Sequence, residues 1–467
     1  MAKYILSPDT ALRTWHENLH TFIKRYTALP VRLSREEFDI ALKCDGTKDI
    51  PQSDALYSLV KRKIVEKCNE QGSTKKLSPW QLHRSFTGKV MPWLSLEITQ
   101  QCNYNCLHCF NAADNDRPCK ELSFDMLCKV LDEAERNGIL AVLITGGEPL
   151  LHRDFYKIID AIYSRDMFVH EINTNGSLLT PEVLCFLSSK GNKPEIKISF
   201  DGLSYHDRMR GKKGAEKATL SSIELCLSED FPVRIQMNFN RENTDTIQPT
   251  LELFSKMGVP RIRIIRTTET PRWISNAPDC SYSWEEYYEE ALNVAVRYSE
   301  SGLTPELCFW NFLTVHPKDK TYSLERVQYY THTFKKSCPL CKTINGMPAI
   351  GANCRIYPCL QYSGTLDAYG IVLGDIRESG LTALLQRGRY YDFAHATQSD
   401  RIKSGAKCAA CKYLTWCAGG CPAIGCLESR DKNFYAHDPS ACIFFENNWP
   451  EKIEAALPGW TNRTPLS

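Results

Sequence analysis

Over residues 93–301 the chain alternates between two rhythms of apolar and polar positions. Short apolar runs occur at 93–98, 141–145, 168–173, 196–200, 233–239 and 261–265. Runs this short and rich in β-branched residues read as strands. Between them apolar residues recur at helical spacing: Leu127, Val130, Leu131 and Ala134; Phe155, Ile158, Ile159 and Ile162; Ile247, Leu251 and Phe254; Tyr288, Ala291, Leu292 and Ala295. Alternating strands and helices predict an α/β fold, a parallel sheet with helices outside it. Six such units fall short of an eight-fold barrel, so an open sheet and a partial barrel both fit. In either, ligands bind beyond the carboxyl ends of the strands.

The flanking segments read differently. Residues 1–90 form a small leading domain. Ser34 and Glu37 make a capping-box pattern before Phe38, Ala41 and Leu42. Cys44-Asp45-Gly46-Thr47 reads as a turn, and Leu56, Leu59, Val60 and Ile64 mark a second helix. The polar stretch 72–88 reads as a linker into the core at 91–301. Residues 302–337 carry weak signals and bridge to 338–467, a loop-rich, cysteine-dense segment that needs metal for its fold.

Composition narrows the class. The 467 residues carry a net charge of +2, which gives no basic surface for nucleic acid. No stretch approaches the ~18 apolar residues of a membrane span, and the amino terminus has no apolar signal core. A cytoplasmic chain is expected, and there thiols stay reduced. The 21 cysteines therefore read as metal ligands or buried small hydrophobes rather than disulfides. Ten lie between Cys338 and Cys442, three at Cys102, Cys106 and Cys109, and eight are scattered.

Cys102-Asn-Tyr-Asn-Cys106-Leu-His-Cys109-Phe110 follows the first strand. Three close thiolates suit an iron–sulfur cluster, leaving one iron of a cubane open to a ligand. Zinc would need a fourth ligand, and His108 is too near Cys109 to complete a tetrahedron easily. The run resembles the C-x3-C-x2-C-aromatic hallmark of the radical S-adenosylmethionine (SAM) enzymes. Gly146-Gly147-Glu148-Pro149, after the second strand, resembles their second hallmark. The resemblance covers about residues 93–300. It implies a partial (β/α)6 TIM barrel and a [4Fe–4S] cluster whose open iron chelates SAM, with reductive cleavage releasing a 5′-deoxyadenosyl radical. It also implies cofactor contacts from Gly146, Gly147, Glu148, Asn175, Ser199, Asp201 and Arg210. His206-Asp207 and Arg210 resemble the family's HD-x-x-R segment, where Arg210 pairs either with the methionine carboxylate or with Asp207.

Cys408-x2-Cys411-x5-Cys417-x3-Cys421, with Cys442 further on and Cys338, Cys341 and Cys359 upstream, fits a zinc ribbon only in part, because the thiolates exceed one zinc site. The pattern resembles the SPASM extension, which implies two auxiliary [4Fe–4S] clusters. Cys408, Cys411, Cys417 and Cys442 would hold one. Cys421 would cross back to Cys359, Cys341 and Cys338 at the other. Cys354 stands where the family has glycine and is read as a non-ligand, with Cys338 or Cys354 left as alternatives for the fourth ligand, and Cys426 is read as structural. Sulfatase-maturing relatives carry an aspartate base after the cysteine equivalent to Cys359. Leu360 stands there in this chain, followed by Gln361 and Tyr362, which disfavours sulfatase maturation and leaves Tyr362 and Asp367 as unranked base candidates.

Residues 3–75 resemble the small winged-helix-like recognition element that binds the leader of a ribosomally made peptide by strand addition. The expected function is thus a radical SAM/SPASM peptide maturase. It would form an oxidative thioether or carbon–carbon cross-link in a precursor peptide, drawing electrons from a flavodoxin- or ferredoxin-type reductant. The alternatives are a radical SAM enzyme acting on a small molecule, epimerisation of a peptide residue, and a non-enzymatic zinc-binding interaction protein.

Overall fold

The computed structural model describes residues 2–16, 18–68, 76–109, 119–330, 332–405 and 407–464. Its centre is a parallel sheet of seven strands in sequential order: β1 (Trp93–Glu97), β2 (Ala141–Thr145), β3 (Phe168–Thr174), β4 (Glu195–Ser199), β5 (Val233–Phe239), β6 (Arg261–Arg266) and β7 (Glu306–Phe309). All six apolar runs are strands of this sheet. The seventh strand lies inside the bridging segment 302–337 and pairs in parallel with β6. The sheet is thus one strand wider than the apolar pattern predicts. Helices Phe124–Arg136, Phe155–Tyr163, Thr244–Met257 and Trp284–Glu300 carry the apolar stripes read from the sequence. Pro181–Ser188 and Ala215–Ser228 complete the helical layer.

Alternation along the strands explains why this barrel has a usable interior. In β5, Val233, Ile235, Met237 and Phe239 are fully buried, while Arg234, Gln236 and Asn238 are only partly covered. Successive side chains point to opposite faces of a sheet. The apolar set packs against the helices, and the polar set is left for the interior. At the amino ends of the strands that interior is closed by ion pairs. Lys197 meets Glu171 at 3.3 Å, Arg234 Nη2 donates to Glu195 Oε2 at 3.1 Å, and Arg261 pairs with the same Glu195 carboxylate.

Both edges of the parallel sheet are covered, as exposed edges are liabilities. Leu313–His316 runs antiparallel to β7 and is followed in the sheet by Thr321–Leu324 and Thr461–Asn462. On the other edge Ala349–Ile350 pairs in parallel with β1, and Ile356–Tyr357 pairs with it in turn. The cysteine-dense segment is thus sewn into the barrel sheet. It is built from helices of nine residues or fewer, among them Ile376–Leu384, Pro422–Glu428 and Pro439–Glu446. A buried pair, Arg326 Nη1 to Asp438 Oδ2 at 2.6 Å, ties the bridging segment to the start of helix Pro439–Glu446.

The leading residues contain more strand than expected. Ala2–Leu6 is flanked by Asp45–Ile50 and Val65–Lys67 in one sheet. Thr10–Trp15, Leu19–Lys24, Val31–Arg32 and Arg84–Phe86 form another. Helix Arg35–Ala41 has the predicted capping box, and Asp54–Lys61 is the second helix. The turn read at 44–47 is instead the entry to a strand. Gly46 (φ 83°) lies where the register between Ala2–Leu6 and Asp45–Ile50 shifts, and a left-handed glycine accommodates such a bulge. The stretch read as a linker lies partly outside the described residues, and its described part is docked. Arg13 donates to the carbonyls of Trp80 and Leu82, and Trp80 and Phe86 are buried. Trp15, Trp80 and Phe86 cluster with Leu140, Ala141 and Phe168, so the leading unit packs at the amino ends of β2 and β3. Among the described residues no helix is long and apolar enough to cross a membrane.

Glu97, at the end of β1, is buried and accepts one hydrogen bond, from the Ala352 amide at 3.2 Å. Burial pushes its carboxyl up from 4.5 to about 7. The native state therefore keeps this proton to higher pH than the unfolded chain does, and stability falls as pH rises from 4.5 towards 7. Glu97→Gln is expected to flatten that slope. In denaturant unfolding the stability difference between pH 5 and pH 8 should shrink by up to about 3 kcal/mol.

Candidate active site at the barrel mouth

The run Cys102–Cys109 leaves the carboxyl end of β1 and is held on two sides. On one side lies the Gly146-Gly147 turn after β2. The Gly147 amide donates to the Thr99 carbonyl (2.8 Å) and the Glu148 amide to the Gln101 carbonyl (2.7 Å). The approach is too close for a side chain: a Cβ on Gly147 would lie 2.2 Å from the Gln101 carbonyl oxygen. On the other side lies helix His206–Arg210, whose Arg210 and Met209 carbonyls accept from the Asn105 and Leu107 amides.

Two buried carboxylates hold these flanks. Glu148 accepts from Thr174 Oγ1 and the Asn175 amide at 2.9 Å each, joining the end of β2 to that of β3. Burial raises its carboxyl to about 7. Asn175 in turn donates to Asn103 at 2.9 Å, beside Cys102. Asp201, after β4, pairs with Arg210 at 2.7 Å and accepts from the Asn238 amide at 3.0 Å. Burial opposes its charge, but Arg210 holds its carboxyl well below the usual range. Arg210 Nη1 then reaches to 3.7 Å from the Cys106 sulfur. Of the two partners the sequence offered Arg210, Asp207 is therefore not the one; Asp207 instead accepts from the Gly214 and Glu216 amides.

A cavity of about 560 Å³ opens over this arrangement. Cys102, Cys106, Cys109, Gly146, Gly147, Asn175, Ser199 and Arg210 line it. Glu148 and Asp201 do not; they act behind the wall as positioning residues. Sequence reasoning missed Lys197, Gln236, Asn238, Arg263, Arg266, Trp284 and Trp310, which also line it. His108, weighed in the sequence only as a zinc ligand, also lines it; its Nε2 accepts from Asn238 Nδ2 at 2.9 Å, and burial and Arg210 push the imidazole down to about 3. Part of the wall comes from the cysteine-dense segment: Leu360 and Gln361, directly after Cys359, and Ile424, Leu427 and Glu428. Phe110 lies outside the described residues.

The remaining cysteines fall into two groups. Cys408, Cys411, Cys417 and Cys442 line one small pocket together. Cys359, Cys421 and Cys341 act on one another electrostatically, and Tyr329 senses both Cys338 and Cys341. The split between Cys417 and Cys421 has a local cause. Ala418, Gly419 and Gly420 are all left-handed (φ 49°, 75° and 69°), which reverses the chain between the two thiols. Cys354 stands apart, facing Arg377 and Asp375, and Cys426 donates to the Lys432 carbonyl. Burial pushes Cys102, Cys417 and Cys421 up to about 12, so these thiols ionise there only against a bound cation. Among the described residues no three potential ligands converge on a single metal ion. The donor sets, all thiol, fit iron–sulfur clusters.

Neither base candidate lines the cavity. Asp367 is consumed by Asn353, Arg355 and Tyr357, at 2.8, 2.7 and 2.8 Å. Tyr362 is buried, has no hydrogen-bond partner and stacks on Phe434. Both therefore stand away from the cavity lining, Asp367 in its own hydrogen-bond network and Tyr362 in an aromatic stack.

The tight contact under Gly147 carries a prediction. Gly147→Ala must separate the glycine turn from the cysteine loop, and a displacement near 1 Å in a reacting site costs about 100-fold. Reductive SAM cleavage, read as 5′-deoxyadenosine release, is expected to fall by about that factor with far-ultraviolet circular dichroism unchanged.

Comparison with known proteins gives the lineage. Residues 96–254 match the family model of the Radical SAM superfamily. The chain is 27% identical over 363 residues to AdoMet-dependent heme synthase of Methanosarcina barkeri, covering 76% of this chain and 96% of that protein. It is 25% identical over 233 residues to the sporulation killing factor maturation protein SkfB of Bacillus subtilis, covering 47% and 56%. Among solved structures, Streptococcus suis SuiB bound to S-adenosylmethionine is similar with a TM-score of 0.62 at 14% identity, over 94% of this chain and 99% of that one. SuiB bound to its precursor peptide SuiA is similar with a TM-score of 0.60. At 14% identity the likeness is one of fold. Residues 96–254 of this chain are thus a radical SAM domain.

Proposed function

We propose that this enzyme is a peptide maturase with three [4Fe–4S] clusters that forms an oxidative cross-link in a ribosomally made precursor. The observation that carries the reading is the composition of the cavity wall. Cys102, Cys106 and Cys109 line it together with Leu360 and Gln361, the residues directly after Cys359. A substrate held there lies near two thiol sets. Cys102, Cys106 and Cys109 would hold the radical-generating cluster. Gly146, Gly147, Asn175, Ser199 and Arg210 would bind SAM, whose reductive cleavage supplies a 5′-deoxyadenosyl radical. Cys408, Cys411, Cys417 and Cys442, and Cys338, Cys341, Cys359 and Cys421, would hold auxiliary clusters able to accept an electron. Removing one hydrogen atom, then a proton and an electron, is the net two-hydrogen loss of a thioether or carbon–carbon bond.

Two further features support a peptide substrate. SkfB is named as a maturation protein, and SuiB is seen with a precursor peptide. The leading unit also offers an exposed edge at Val31–Arg32, with Leu29 and Val31 in solvent, suited to strand addition by a leader peptide. A second reading has its own observation. The resemblance to a heme synthase spans nearly all of that protein, and a cavity of about 560 Å³ also suits a small molecule.

Anaerobic purification is expected to give about 12 iron per chain; zinc with little iron would remove the enzyme reading. Cys106→Ala should abolish 5′-deoxyadenosine release. Cys359→Ala should keep that release and lose the modified product. A peptide co-expressed with the enzyme should lose two hydrogens in mass. An unchanged mass with altered stereochemistry would mean epimerisation, and an unmodified peptide beside an altered small molecule would favour the second reading.

A further inference from the structure

Most charges inside the barrel are matched. Lys197 has Glu171, Arg234 and Arg261 share Glu195, and Arg266 donates from Nε to the Tyr282 carbonyl (2.5 Å) and meets Glu269 at 3.4 Å. Arg263 is the exception. It sits on β6 beside Gln236 of β5 and Cys308 of β7 and lines the cavity. Among the described residues it makes no hydrogen bond and no ion pair, and its Nε is buried with no partner. Its guanidinium carbon lies 5.2 Å from the Trp310 ring centroid, and Cys308 and Arg234 act on it electrostatically. Glu171 and Glu325 act on it only through space, and both are engaged, with Lys197 and Thr314.

An arginine cannot lose its charge to escape this position. Its Nε, buried without a partner, carries the cost of an unmade hydrogen bond, while the half-buried guanidinium borders the cavity. The ring beneath it stabilises the cation and leaves its fork of N–H donors free at the edge. That fork matches a carboxylate, two parallel N–H···O bonds at a time. SAM's own carboxylate has a separate candidate in Arg210, beside Cys106.

We propose that Arg263, floored by Trp310, is a binding subsite for a carboxylate of the substrate. With the peptide reading above, on which this assignment of substrate class rests, the group is an acidic residue of the precursor near the modified position. Arg263 would fix the peptide's register against the radical source, and an amide in the same place would leave the guanidinium unmatched.

The test is equilibrium dialysis of labelled probes against the reconstituted enzyme with SAM bound, so that the cofactor's carboxylate does not compete. The probes are acetyl-Gly-Glu-Gly-amide, acetyl-Gly-Gln-Gly-amide and glutarate. The glutamate peptide is expected to bind about tenfold or more tightly than the glutamine peptide. Arg263→Gln should erase that difference, and Arg263→Lys, which keeps the charge, should retain part of it, which guards against a variant that merely fails to fold. Equal binding of the two peptides, a preference that survives Arg263→Gln, or no Arg263-dependent binding of any probe would overturn the subsite. Arg263-dependent binding of glutarate with neither peptide bound would uphold the subsite and remove the peptide reading.

Discussion

The barrel mouth depends on carboxylates that never face the cavity. Glu148 and Asp201 are both fully buried, and each turns a flexible loop into a fixed wall. Glu148 clamps the ends of two neighbouring strands and, through Asn175, the start of the cysteine run. Asp201 holds Arg210, which stands beside the middle thiol. Burying charge is costly unless it is paired and hydrogen-bonded. Here the pairing partners are the very groups whose positions matter, so the energy of satisfying the carboxylates is also the energy that fixes the site.

The same economy runs through the barrel interior. A barrel of this width is usually filled by layers of branched apolar side chains. This one places Lys197, Gln236, Asn238 and Arg263 where such a layer would sit, above a floor of ion pairs. Polar side chains cannot pack shut as aliphatic ones do. The result is a cavity that stays open above a closed floor, lined by Cys102, Cys106 and Cys109.

The parts legible in the sequence were those with a strong local signal. Six strands were readable because their outward faces are continuous apolar sets, and the thiol groups because their spacing is distinctive. β7 was not, because Glu306–Phe309 is four residues with a charged first position. The short helices after residue 338 span too few turns to show a stripe. The polar lining of the cavity was hidden for a different reason. Arg234, Gln236 and Asn238 looked like the solvent side of a half-buried strand, and only closure of the sheet turns that side inward. Asp367 and Tyr362 were near the right cysteine in sequence but point into structure of their own, which spacing cannot reveal.

The reversal at Ala418-Gly419-Gly420 has a consequence for how the chain comes to be built. It sends thiols only four positions apart to different groups, so no contiguous stretch can complete either one. Gln361 and Cys421 meet across 60 positions, and the strand between Cys341 and Cys359 must first zip onto β1. Contacts so distant along the chain form only after long loops have closed, and they form late. The barrel is thus the template and the cysteine-dense segment the last part to assemble. Interrupting that last stage would leave a finished barrel with an unfinished cover, its apolar lining and thiols open to aggregation.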